Sequence, residues 1–208
     1  MSAREEVLGR IRHALGHAPP SPEPRRRYRQ VDEADRAEIV ERFATRVGEY
    51  RATVHRAPAG EVGEVLAGAC RELGARRLGV PGGLPEAWLP KGVEAVPDSG
   101  LDAHELDRLD GALTGCALAI AETGTIVLDG GESSGRRALT LVPDHHLCVV
   151  EEKQIVGIVP EAVAALQDAV RDGRPLTFVS GPSATSDIEL SRVEGVHGPR
   201  TLVVVLVS

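Results

Sequence analysis

Apolar and polar positions along the chain alternate between helical and strand spacing, which predicts a mixed α/β domain. Strands that alternate with helices indicate βαβ units around a mainly parallel sheet, here a three-layer, Rossmann-like arrangement. The continuous apolar run 202–207 is typical of a strand covered on both faces. Helices are expected at 32–50, 61–73, 85–89, 101–109 and 160–170, and strands at 52–55, 77–80, 93–96, 124–128, 137–142, 147–151, 176–180 and 201–207.

The first thirty residues differ from this pattern. Ser2 followed by Glu5 forms a capping-box sequence, and the apolar residues behind it share one face of a short helix over 1–15. Residues 16–31 are rich in proline and arginine and are expected to form an extended linker before the domain at 32–208. The helix either packs on its own domain or a symmetry-related copy, or docks on a partner protein.

Length and composition limit the classes of protein. A chain of 208 residues fits one large domain, and no apolar run approaches the ~20 residues that span a bilayer. The charged N-terminus lacks a signal-peptide core, so a cytoplasmic protein is expected. Three separate cysteines, none in a C-x-x-C pair, argue against a disulfide framework, a zinc site or an iron–sulfur cluster, and no bound metal or cofactor is expected.

The charge distribution and the few aromatic residues argue against nucleic-acid binding. The net charge is −7, and residues 1–30 contain seven arginines and three glutamates, which leaves −11 for the rest. An acidic domain repels phosphate backbones. Only five aromatic residues are present, too few for a base-stacking platform.

A first candidate site follows the small, apolar stretch 112–120. Glu122, Thr123, Gly124 and Thr125 lie at the start of an expected strand. A partly desolvated carboxylate at Glu122 would suit a general base or an acyl-accepting nucleophile, with the two threonines as hydrogen-bonding groups. Alternatively, Glu122 accepts backbone N–H groups and only holds the turn.

Two Gly- and Ser-containing loops are candidate anion sites, since free backbone amides after a strand bind phosphate or carboxylate. In the first, Gly130 and Gly131 precede Arg136; the alternative is a plain hairpin turn. In the second, Gly181, Ser183, Thr185 and Asp187 follow the strand 176–180, and the alternative is an ordinary helix cap.

Two histidines are candidates for contacting a substrate. His145 precedes the strand 147–151, and His197 lies in a Gly-containing turn. Either side chain would serve as a proton donor. The histidine spacing matches no metal-ligand pattern, so a metal is not expected.

Taken together, segments 120–126, 143–149, 180–189 and 195–199 resemble the LUD, or lactate-utilisation, domain family. The resemblance covers about residues 32–208. It implies a fold like that of the group containing glucosamine-6-phosphate isomerase, ribose-5-phosphate isomerase and CoA-transferases. It also implies a role in oxidising L-lactate to pyruvate beside two iron–sulfur partner proteins that carry the clusters.

The residues alone leave other functions open. A stand-alone enzyme or a binding protein for an acyl, sugar-phosphate or folate-like small molecule would also use Glu122 and the anion-friendly turns. A purely structural or regulatory partner of the iron–sulfur proteins is the third possibility. In CoA-transferases of the implied fold group a glutamate near a Gly-rich turn accepts the acyl group, but the sequence around Glu122 differs from that signature.

Overall fold

The computed structural model describes residues 2–16, 27–182 and 198–208. The helices are α1 (Ala3–Leu15), α2 (Arg36–Glu49), α3 (Val62–Leu73), α4 (Ala103–Asp107), α5 (Arg137–Leu141), α6 (Val159–Ala165) and α7 (Gln167–Arg171). The strands are β1 (Thr53–Ala57), β2 (Arg77–Val80), β3 (Glu94–Pro97), β4 (Gly111–Thr114), β5 (Leu118–Ile120), β6 (Thr125–Leu128), β7 (His145–Glu151), β8 (Ile155–Val156), β9 (Thr177–Val179) and β10 (Thr201–Val207). Short 3-10 turns lie at Ala59–Glu61, Glu86–Trp88 and Glu152–Gln154.

A six-stranded parallel sheet forms the centre of the domain, in the order β1-β10-β7-β4-β2-β3. The neighbouring interior strands β10 and β7 pair along their whole length, from Thr201 opposite His145 to Val207 opposite Glu151. Both strands are buried on both faces, as expected for a strand with cover on each side. The predicted α/β class and mainly parallel sheet are confirmed.

A second sheet of four strands, in the order β8-β5-β6-β9, was not predicted. The pairs β5–β6 and β6–β9 are antiparallel, and β5–β8 is parallel. The region 112–120 contains β4 and β5, but its alanines and glycine have weak strand propensity. Long-range pairing and burial, rather than local preference, make this segment extended.

The prediction of a strand at 137–142 was wrong, because Arg137–Leu141 is a helix. The segment is too short for periodicity to distinguish the two, since five residues complete less than one and a half helical turns. Leu139 is fully buried with Leu106, Leu109 and Ala112. This contact with α4 and β4 favours the helix.

Two hydrophobic clusters lie on opposite faces of the central sheet. On one face, α3 packs Val62, Leu66 and Cys70 against β2, β7 and β10. On the other face, α2 and the second sheet pack together over Cys148, Val150 and Val204. The second sheet is covered in turn by α6 through Ala162 and Leu166. The second sheet is therefore an additional layer between the central sheet and α6.

The N-terminal helix α1 makes its own cap but no core contact. The hydroxyl of Ser2 accepts the Glu5 backbone N–H at 3.3 Å, and the Ser2 backbone nitrogen donates to Glu5 Oε2 at 2.7 Å. None of the α1 residues is buried. In the part of the chain that the structure describes, no helix combines the length and the apolarity that crossing a membrane requires.

Candidate functional site

Three hydroxyl groups connect the β5–β6 turn to the end of β9. Ile126 pairs with Val179, and this register places Thr125 opposite Ser180. Thr123 Oγ1 lies 2.7 Å from Thr125 Oγ1, which in turn lies 2.7 Å from Ser180 Oγ. We call Thr123, Thr125 and Ser180 the hydroxyl line. It joins two segments that are 55 residues apart in the sequence.

The hydroxyl line ends at a small pocket of about 110 Å³. The lining combines a few polar groups with a mainly apolar wall, a composition typical of small-molecule sites. No charged side chain lines it among the described residues. The lining residues are Thr140, Leu141, His146, Thr177, Phe178, Val179, Ser180, Gly181, Pro182, Gly198 and Pro199.

Among the described residues that line this pocket, His146 is the titratable side chain. It is 1% exposed and faces the same side of β7 as Cys148 and Val150. Its Nε2 lies 2.9 Å from Thr114 Oγ1. Burial lowers the pKa of His146 to about 4, so the imidazole is neutral near pH 7. The other nitrogen, Nδ1, has no hydrogen bond within the described residues, so it can donate to or accept from a ligand according to its tautomer.

Two glycines allow the C-terminal half of α2 to approach the site. Gly124 has φ +60°, and a Cβ there would lie 2.7 Å from the backbone of Arg46 and Val47. Gly181 has φ +112°, and a Cβ there would lie 3.0 Å from the Tyr50 carbonyl oxygen. Any larger residue would separate these segments from the helix. The α2 helix therefore fixes both the β5–β6 turn and the end of β9.

Glu122 lies on the same turn but faces outward. Its carboxylate pairs with Arg29, and its side chain is 43% exposed rather than partly desolvated as expected. Its backbone nitrogen donates to the Gly157 carbonyl at 2.9 Å. Arg29 also acts on nearby Asp32, whose pKa is held below its usual range by hydrogen bonds from the Ala34 amide and from Arg42. Glu122 belongs to a surface network of charges beside the site.

The predicted anion loop, which contains Gly130 and Gly131, lies at the end of the central sheet that is opposite to the hydroxyl line. Asp129 organises the loop, accepting the Gly131 N–H and the Ser134 hydroxyl at 3.0 Å each and pairing with Arg174. The backbone N–H groups of Gly83, after β2, and Gly115, after β4, donate to the carbonyl oxygens of residues 132 and 133 in this loop. The loop therefore covers the carboxyl ends of these strands, away from the hydroxyl line.

Arg136 is engaged by a carboxylate of the protein itself. Its Nε and Nη2 donate to the two oxygens of Asp98 at 2.7 and 2.8 Å. The Asp98 side chain is only 3% exposed. Burial alone would raise the pKa of Asp98, but the Arg136 hydrogen bonds and charge hold that pKa below its usual range. Arg136 compensates a buried charge, so its guanidinium is already occupied in this structure.

His145 is directed away from the pocket, because successive side chains of β7 alternate between the faces of the sheet. Its Nδ1 is buried without a hydrogen-bond partner among the described residues. Ser183, Thr185, Asp187 and His197 lie outside the described residues. Of the predicted residues, the structure thus gathers Thr123, Thr125 and Gly181 around one site, with Gly124 behind them and Glu122 at its edge.

The sequence did not single out Thr140 or His146. His145 and His146 are adjacent, and alternation places only one of them on the pocket side. Both faces of β7 are buried, so the polarity of its neighbours gives no sign of which face holds a pocket. Thr140 lies in the helix α5, which was predicted as a strand.

The cysteines are buried thiols. Burial raises the pKa of Cys70 to about 11, and the neighbouring Cys148 together with burial raises that of Cys116 well above its usual value. Metal ions bind the thiolate form, which these environments disfavour. Within the described residues, no group of three His, Cys, Asp or Glu side chains is placed to hold a metal ion.

Comparison with known proteins agrees with the fold and the motif order. A protein of Deinococcus radiodurans named "Lactate utilization protein C" is 48% identical over 207 residues, 99% of this chain and 96% of that protein. A protein of Bacillus velezensis with the same name is 30% identical over 131 residues, 55% of this chain and 54% of its own length.

A crystal structure and a family model give the same assignment. The crystal structure of a DUF162 family protein from Deinococcus radiodurans superimposes with a TM-score of 0.74 and 46% identity, over 84% of this chain and 99% of that one. The model of the LUD domain matches residues 40–207, which include β1 to β10, the hydroxyl line and the pocket. The chain belongs to the LUD domain family.

Proposed function

We propose that this protein is a component of a bacterial L-lactate utilisation system, in which L-lactate is oxidised to pyruvate together with two iron–sulfur partner proteins. The observation that carries the proposal is the 48% identity, over nearly the full length of both chains, to a protein named for lactate utilisation. Such coverage includes the hydroxyl line, the pocket and the N-terminal helix, rather than a shared fold alone.

In this proposal the chain carries no cluster, and electrons pass through the partners. The sequence contains three cysteines, and Cys70 lies in a different hydrophobic cluster from Cys116 and Cys148. Iron–sulfur clusters held by cysteine alone use four thiolates, which supports this division. What the chain contributes is a ligand site that its own residues build.

The pocket supports a small-molecule role for the chain. A volume of about 110 Å³ limits it to a ligand of a few heavy atoms. Ser180 and His146 offer hydrogen bonds, while Leu141 and Phe178 offer apolar contact. We propose that the pocket binds the short carboxylic acid of the reaction by hydrogen bonds, with its methyl group against the apolar wall.

Growth on L-lactate tests the role in the pathway. Deleting the gene in its host should abolish growth on L-lactate but not on glucose, and the wild-type gene should restore it. A mixture reconstituted with the two proposed iron–sulfur partner proteins should oxidise L-lactate only when this chain is present. Unimpaired growth of the deletion strain on L-lactate would contradict the proposal.

Substitution of Glu122 tests whether the turn takes part in the chemistry. We propose that its carboxylate contributes, so Glu122→Gln should abolish complementation while the protein stays folded. Arg29→Gln removes the same ion pair but keeps the carboxylate, so it should complement. Glu94→Gln, which breaks an exposed pair with Arg77, is the matched control. Normal growth with Glu122→Gln would remove this residue from the site.

The second candidate is a stand-alone enzyme or a binding protein for an acyl, sugar-phosphate or folate-like molecule. The existence of a pocket built entirely by this chain favours it, since such a site needs no partner to form. The reconstitution above separates the two candidates. Lactate oxidation that is unchanged when this chain is omitted, while the chain alone binds another small molecule, would favour the second.

A further inference from the structure

A groove runs along α3 on the face of the central sheet opposite the pocket. Two adjoining cavities of about 470 and 380 Å³ form it, and both are lined by Ala67, Arg71 and Lys91. One wall is α3, and the other is the chain from Ala87 to Val93 that follows the 3-10 turn Glu86–Trp88. We call this feature the α3 groove. Its size falls in the range of small-molecule sites.

Three positive side chains line the α3 groove without protein partners. Arg71, Arg76 and Lys91 make no side-chain hydrogen bond or ion pair with the rest of the described chain. By contrast, Arg42, Arg136 and other arginines of the domain are held by carboxylates. Among the described residues, Glu64 is the only acidic side chain that lines the groove, and it lines the first cavity but not the second.

A cluster of three cations that are unpaired within the described chain is unexpected in a domain with a negative net charge. Residues 31–208 carry a net charge of −11, yet the groove brings together three cations against one carboxylate. Like charges that line one cavity repel each other, and a bound anion relieves that repulsion. The positive potential favours an anion with more than one negative charge.

The floor of the α3 groove is apolar and closely packed. Ala67 is 6% exposed, and Ala87 and Leu89 extend the apolar surface. Gly63 lets α3 approach the opposite wall, because a Cβ there would lie 2.9 Å from the Ala87 carbonyl oxygen. An apolar floor beneath a cationic rim suits a ligand with an organic body and phosphate groups.

We propose that the α3 groove is a binding site for an organic phosphate, a ligand whose phosphate groups contact Arg71, Arg76 and Lys91 while its organic body lies on Ala67, Ala87 and Leu89. The site is separate from the pocket beside His146, since α3 and the α2 side lie on opposite faces of the central sheet. It therefore does not depend on the proposed function.

The fluorescence of Trp88 can report ligand binding to the full-length chain. It is the only tryptophan and lies between Ala87 and Leu89, which line the groove. ADP should change its fluorescence with a saturable, salt-weakened curve, and calorimetry should give the same affinity. Adenosine and inorganic pyrophosphate should both bind at least about tenfold more weakly than ADP.

Charge variants decide whether the cations form the site. The triple variant Arg71→Gln, Arg76→Gln, Lys91→Gln should weaken ADP binding at least about tenfold, and Glu64→Gln should strengthen it about twofold. The matched control, Arg12→Gln, Arg108→Gln, Arg137→Gln, makes the same change in net charge elsewhere and should bind like the wild type. Circular dichroism should show that all variants fold.

Three outcomes would overturn the proposal. The first is an absence of any ADP binding at millimolar concentration. The second is equal affinity of the two triple variants, which would mean that general charge rather than the groove attracts ADP. The third is adenosine or pyrophosphate binding as tightly as ADP, which would remove either the phosphates or the organic body from recognition.

Discussion

At the residue scale, His146 shows how burial sets the chemistry of a site. An imidazole with 1% exposure and a single hydroxyl partner, Thr114, has no carboxylate within the described hydrogen bonds to stabilise its charged form. Desolvation therefore dominates and lowers its pKa to about 4. A neutral His146 can exchange hydrogen bonds with a ligand but does not attract anions by charge.

The lowered pKa of His146 predicts a loss of stability in mild acid. Above about pH 6.5, the imidazole is neutral in both the folded and the unfolded chain, so protonation of His146 does not reduce the free energy of unfolding. As the pH falls from 6.5 towards 4, the unfolded chain binds a proton that the folded chain excludes. Between pH 7 and 5, the free energy of unfolding should fall by about 2 kcal/mol more in the wild type than in His146→Gln.

Urea titrations at several pH values, followed by Trp88 fluorescence, measure this difference. Carboxylates contribute equally to both proteins and cancel in the comparison. His104→Gln removes an exposed histidine of α4 and should keep the wild-type pH dependence. An identical pH dependence in His146→Gln and the wild type would show that His146 is not held neutral by the fold.

At the element scale, the contact between α2 and the β5–β6 turn holds the site together. The helix buries Ile39, Val40, Phe43 and Val47 against the second sheet and the central sheet. Its C-terminal half leaves room only for a backbone at Gly124 and Gly181. The hydroxyl line depends on this fit, because the turn and β9 are both positioned by the helix.

Gly124→Ala should test that fit. A side chain there meets both a left-handed φ and the α2 backbone at 2.7 Å, so the free energy of unfolding should fall by about 2–4 kcal/mol. Gly74→Ala has a similar φ of +70° but open space around it, and should cost about 1 kcal/mol. Chemical denaturation compares the two. Equal losses would indicate that only the backbone conformation, not the packing on α2, matters at Gly124.

At the scale of the whole molecule, the chain combines a packed α/β body with an N-terminal helix that contributes nothing to its core. Every α1 residue is at least partly exposed, including Val7, Ile11 and Leu15 on its apolar face. The helix is stabilised locally by its capping box and the Arg10–Glu6 pair. Stability of the body should therefore be independent of α1.

Removal of residues 1–16 should leave the melting temperature within about 2 °C of the wild type, since no buried apolar surface is lost. Thermal unfolding by circular dichroism measures this. Phe43→Ala, which empties a fully buried position in α2, should lower stability by about 3–5 kcal/mol and shows that the assay responds. A decrease above about 5 °C on removal of α1 would show that the helix packs on the body.

Local patterns in the sequence were sufficient for most helices and for five of the six strands of the central sheet, all but β4. The spacing of Ile39, Val40, Phe43 and Val47 predicted α2, and the apolar run 202–207 predicted a strand covered on both faces. The order of the four motif segments also sufficed for the family, because motif order is a property of the chain itself. These features depend on neighbours that are close in sequence.

Only the tertiary structure decided the rest, because it depends on pairings between distant residues. The second sheet arises from the register of β5, β6, β8 and β9, and that register alone brings Thr125 to Ser180. The face of β7 that packs towards α2 determines that His146, rather than His145, lines the pocket. Arg136 is paired with Asp98, which lies 38 residues away in the sequence. Local patterns specify what an element is, whereas packing specifies what each side chain meets.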